Sequence, residues 1–102
     1  MKTIVVGSEL PRDTEHLVIK VTQDPLFLNF RRQVDDILIT SPDGDILVSW
    51  DLNHESVWDD TNCLLLKAVD NMKEIGNIKT SLIALKAKED KELTVYLTAQ
   101  IN

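Results

Sequence analysis

Cysteine occurs once in this 102-residue chain, glycine and proline three times each, and aromatic residues make up only 5% of it. A lone Cys63 cannot close an internal disulfide, so no disulfide framework carries the fold and nothing points to an oxidising compartment. The few glycines form no glycine-rich phosphate loop, and no Gly-x-Ser-x-Gly or His-Glu-x-x-His pattern occurs. No apolar run approaches the roughly 20 residues needed to span a bilayer. Ser8, Glu9 and Arg12 interrupt the N-terminus before a signal-peptide apolar segment develops. The expected location is therefore cytoplasmic, with no membrane contact.

A further scarcity is local. Residues 33–66 contain none of the 11 lysines and arginines, yet hold eight of the 17 acids: Asp35, Asp36, Asp43, Asp45, Asp51, Glu55, Asp59 and Asp60. The remainder of the chain is slightly basic, so the net charge of −6 is concentrated in one segment. Phosphates would be repelled there, which argues against direct nucleic-acid binding and favours a basic protein partner or a cation. The plainer reading treats the same acids as turn formers, helix-start residues and solubilising charge.

What is present suits one globular domain over residues 1–102, with 43% hydrophobic and 27% charged residues. Thr3 to Val6 reads as a short strand, the polar segment 8–15 as a loop, and Leu17, Ile19 and Val21 as the apolar side of a second strand. Asp24-Pro25 resembles an N-cap with proline at the first helical position, so a short helix near residues 25–34 is expected. An extended reading with Leu26, Leu28 and Phe30 on one face competes with it. Ile37–Thr40 and Ile46–Trp50 flank Ser41-Pro42-Asp43-Gly44, and this spacing predicts a hairpin in which Gly44 supplies a positive φ.

Ser56 followed by Asp59 matches a capping box. From there an apolar arc of Val57, Trp58, Thr61, Leu64, Leu65, Ala68, Val69, Met72 and Ile75 predicts a long amphipathic helix over 56–75, stopped by Gly76. On that reading Leu65 is a core residue whose truncation to alanine would cost about 2–5 kcal/mol. Residues 78–87 fit a strand or a helix equally. Leu93, Val95, Leu97, Ala99 and Ile101 alternate with polar partners and mark a final strand with one wet face, expected to form a closing hairpin. The expected fold class is α+β: an antiparallel sheet of about five strands with the helix on one face.

No catalytic residues are assigned. Cys63 has no feature in sequence that lowers its pKa. Asp51, His54, Glu55, Asp59 and Asp60 have the chemistry of a mixed carboxylate and imidazole metal site. Acids at a helix start need no metal, however, so no metal or other cofactor is assigned. The same residues interleave with Trp50 and Trp58, and tryptophan anchors ringed by acids suit a Lys/Arg-rich surface. If both tryptophans turn inward, only the electrostatic half of that idea remains. The expected function is thus a non-enzymatic protein-binding domain, of inhibitor or immunity type. Its site comprises Asp51, His54, Glu55, Asp59, Asp60, Trp50 and Trp58 on an acidic hairpin–loop–helix surface. The alternative is a structural subunit of a phage or secretion assembly, with a homo-oligomer formed through the edge of the final strand.

Overall fold

The computed structural model describes residues 2–6, 13–50, 58, 63–69 and 72–101. Among them the protein is all-β. Its eight strands are β1 (Lys2–Val5), β2 (Thr14–Val21), β3 (Leu26–Thr40), β4 (Ile46–Ser49), β5 (Leu64–Leu66), β6 (Lys73–Ile75), β7 (Thr80–Ala87) and β8 (Leu93–Ile101). All pairings are antiparallel except β1 with β3.

Strand β3 explains the architecture. Its 15 residues would extend about 50 Å if straight, yet the longest dimension of the domain is 36 Å. It therefore has to bend. The bend falls at Arg31, whose φ is 62°, and the Asn29 side-chain oxygen accepts the Arg31 N–H at 3.0 Å. One register shift spans this place, between Asn29 and Val34 against β7, and a second follows it, between Val34 and Asp36 against β8. Such irregularities turn a strand from one sheet direction to another.

On either side of the bend β3 has different neighbours. Its first half lies between β1 and β7, and beyond β7 come β4 and β5. Its second half lies between β8 and β6, with β2 beyond β8. These two layers face each other over one core, which draws Leu26, Leu28, Ile46, Val48, Leu66, Ile83 and Leu85 from the first and Val21, Ile37, Ile39, Ile75, Leu93, Val95 and Leu97 from the second. The two layers also meet where the Ala87 N–H donates to the Thr22 carbonyl at 2.8 Å.

The α+β expectation is overturned, and the reason lies in the same layering. Of the apolar positions that trace a helical arc over 56–75, Val57 and Thr61 lie outside the described residues, and Leu64, Leu65, Ala68, Val69, Met72 and Ile75 divide between β5, a connecting segment and β6. Leu66 is 1% exposed, whereas Leu65 is 37%, Met72 64% and Val69 84% exposed. Along the connecting segment, the Ala68 N–H is held by the Asp45 carboxylate at 2.8 Å rather than by a helical carbonyl. Edge pairing of β5 on β4 thus prevails over a spacing that suits a helix equally well. The short helix near 25–34 is likewise absent. Asp24 donates its N–H to the Thr22 hydroxyl in a turn, and Leu26, Leu28 and Phe30 are buried on one side of β3.

Neither expected hairpin forms. The chain turns at Pro42-Asp43, and the Ser41 hydroxyl donates to the Gly44 carbonyl at 2.7 Å, but β7 lies between β3 and β4. The β7–β8 connection behaves in the same way, because β3 lies between those strands. Both connections cross from one layer to the other and stack together, with the Lys88 N–H donating to the Asp45 carbonyl at 3.1 Å. Gly44 is required for space rather than for φ, which lies outside the left-handed region. A Cβ there would sit 2.8 Å from Lys91 Cε and 2.9 Å from Leu93 Cδ2. The ambiguous 78–87 segment resolves as β7, and the wet-and-dry final strand is β8 as read from its alternation.

Two expectations follow for stability measured by urea denaturation. Leu66→Ala should cost about 2–5 kcal/mol, whereas Leu65→Ala should cost under about 1 kcal/mol, reversing the order that a helix would impose. At the bend, Arg31→Val should cost about 1–2 kcal/mol because a β-branched residue resists positive φ, while Arg31→Gly should be neutral or stabilising.

Candidate functional site

The residues expected to bind a partner occupy the connection that leaves β4 and returns as β5. Asp51, His54, Glu55, Asp59 and Asp60 lie outside the described residues. Trp50 is half-buried and packs against the margin of the core. Trp58 is half-buried too, with the Lys86 ammonium 5.9 Å from its ring centroid. Lys86 alternates with the buried Leu85 and Ala87 on β7, so this contact belongs to the outer side of the first layer. The indole face and the ammonium attract each other through the ring quadrupole.

Several acids of the 33–66 stretch have internal duties. Asp36 accepts the Asn77 N–H at 2.9 Å, and the Asp35 carbonyl accepts the Ile78 N–H at 2.9 Å. Together they hold the 76–79 crossover, in which Asn77 and Lys79 have φ of 59° and 48°. The Asp35 carboxylate also accepts Gln33 Nε2 at 3.1 Å, and Asp45 anchors Ala68 as described above. Asp43 is exposed on the turn.

A second surface was not anticipated. The outer side of β2, β8, β3 and β6 forms a four-strand face whose rows follow from the registers. One row runs His16, Thr98, Leu38, Glu74, and the next runs Val18, Tyr96, Thr40. Met72, two residues before Glu74, continues the latter row by strand alternation. Val18 is 67% and Tyr96 47% exposed. Cross-strand bonds order the polar members: Thr14 Oγ1 donates to Gln100 Oε1 at 3.2 Å, and Lys20 Nζ donates to Thr94 Oγ1 at 2.6 Å. His16 Nδ1 and Thr98 Oγ1 are 2.9 Å apart. A shallow cleft of about 160 Å³ opens among Asp36, Leu38, Glu74, Thr98 and Gln100.

The face carries hydrogen-bonding groups of both signs around an apolar centre, an arrangement suited to recognising a surface. Among the described residues no group of three His, Cys, Asp or Glu side chains is placed to hold a metal ion. The alternation of β2 and β8 made each wet side legible in sequence. Their adjacency was not, because it depends on pairings between segments some 80 positions apart. Compared with known proteins, the chain matches no family, no curated protein and no solved structure.

The Trp58–Lys86 contact is checked by Lys86→Ala. Loss of this half-buried cation–π pair should lower stability by about 0.5–1 kcal/mol and shift tryptophan emission in a Trp50→Phe background, where Trp58 is the sole reporter.

Proposed function

We propose that this chain is a cytoplasmic, non-enzymatic protein-binding domain of inhibitor or immunity type that engages a basic partner. The observation that carries this reading is the 33–66 stretch, with eight acids and no lysine or arginine. Since Asp35, Asp36 and Asp45 each hold a neighbouring group, the binding role is concentrated on Asp43 and on Asp51, Glu55, Asp59 and Asp60. His54, Trp50 and Trp58 belong to the same region of sequence. A long-range negative field of this kind accelerates encounter with a positive surface and selects against acidic partners. Among the described residues no helix is long and apolar enough to cross a membrane.

The assembly reading draws support from a different observation, the exposed Val18–Tyr96 pair on the outer face. The final strand is not its point of contact, because β8 is flanked by β2 and β3. The edge falls to β2 instead. There Glu15, opposite the buried Ala99, occupies the core-side row, and an inward-facing charge on an edge strand opposes the addition of another strand.

The test of the leading reading is affinity capture with the native chain and with a variant in which Asp51, Asp59 and Asp60 become Asn and Glu55 becomes Gln. The native chain should retain a basic protein that the variant loses at least about tenfold, with weaker retention as salt rises. Equal recovery by two equally folded proteins would refute it.

A further inference from the structure

The outer face of β2, β8, β3 and β6 is polarised across its strands. His16 and Lys20 lie on the β2 side, Asp36 and Glu74 lie on the β3 and β6 side, and Val18, Tyr96, Leu38 and Met72 supply the apolar surface between and beside them. A surface with basic groups along one flank and acidic groups along the other is complementary to its own two-fold mate.

We infer that the occupant of this face is a second copy of the chain, bound face to face about a two-fold axis parallel to the strands and passing between β8 and β3. That operation lays β2 of one copy over β6 of the other, and β8 over β3. Row by row, His16 then meets Glu74 of the second copy, Val18 meets Met72, Tyr96 meets Thr40, and Gln100 meets Asp36. Each contact occurs twice. The contact between His16 Nδ1 and Thr98 Oγ1 leaves Nε2 to face the carboxylate across the interface. No other axis parallel to the strands sets His16 opposite Glu74, because these residues end the same four-strand row.

Face-to-face packing is preferred to edge pairing for the reason already given at Glu15. Two such sheets pack about 10 Å apart with their strands within about 30° of alignment. The face presents four outward residues on each of β2 and β8, three on β3 and two along β6. At strand spacing these cover roughly 400 Å² per copy, or about 800 Å² in total, a small interface that implies a weak, reversible dimer. The net charge of −6 on each copy opposes approach at low salt, and physiological ionic strength screens that repulsion beyond about 8 Å. This inference stands apart from the basic-partner reading and supplies the assembly reading with a contact.

The test is sedimentation equilibrium of the purified full chain at physiological salt, from roughly 1 µM to 1 mM, the range of weak reversible association. The native protein should be a dimer. His16→Glu alone and Glu74→Lys alone should each weaken it by about tenfold or more, and the two changes combined should restore it, because the pair is re-formed with exchanged sign. Val18→Asp should give a monomer. All three positions of substitution are at exposed residues, and circular dichroism confirms folding. A native monomer at the highest concentration overturns the inference, as does a dimer indifferent to Val18→Asp or a double variant no better than the singles. Capture of a foreign protein on this face by a monomeric chain likewise overturns it.

Discussion

The bend of β3 at Arg31 is the constraint on which the other pairings depend. A single strand too long for the domain serves as a central member of both layers, and every other strand takes its place by reference to one half of it or the other. Arg31 adopts a backbone conformation that disfavours an L side chain. The strain is offset by the Asn29 hydrogen bond and by the core on both sides of the turn. Phe30 is buried immediately before the bend and Val34 soon after it, so straightening the strand would expose one or the other.

From that arrangement follows an unusual regularity in the connections. The chain passes from layer to layer between β1 and β2, β2 and β3, β3 and β4, β5 and β6, β6 and β7, and β7 and β8. Of the successive strands, only β4 and β5 pair with each other. The polar groups along these crossings are used to hold them. Asp36 and Asp45, which in sequence look like uncommitted surface charge, are fasteners between segments distant along the chain. Fewer acids of the 33–66 stretch are therefore uncommitted than the composition suggests.

Strand character was legible wherever one face is buried and the other wet. Leu17, Ile19 and Val21 and the Leu93–Ile101 alternation announce β2 and β8 directly. Periodicity failed where strands are short. Three residues cannot display a period, so Leu64 and Leu65 joined Ala68, Val69, Met72 and Ile75 in a helical arc that the fold does not use, while Leu66, which the fold buries, lay off that arc. The Pro42-Asp43-Gly44 turn was legible as a turn but not as a crossing, because local sequence specifies the reversal and not the strand that intervenes. For the same reason the outer face was hidden: its members come from residues 14–20, 36–40, 72–74 and 94–100, and only the register assembles them. The acidic cluster, by contrast, was visible at once because charge scarcity needs no tertiary information.

The interior position of β8 also bears on how the protein comes into being. Strand β2 has no partner among the described strands except β8, and the two are separated by nearly the whole chain. During synthesis, β2 and the second half of β3 emerge early yet lack the strand that belongs between them. The second layer is thus an open slot until Leu93–Ile101 arrives, and closing it requires a loop of some 80 residues, the kind of non-local step that makes β folding slow. Until then the core side of β2, with Leu17, Ile19 and Val21, waits uncovered. The inward carboxylate of Glu15 then has a second use: it keeps an incomplete sheet from capturing a strand of another nascent chain in place of its own.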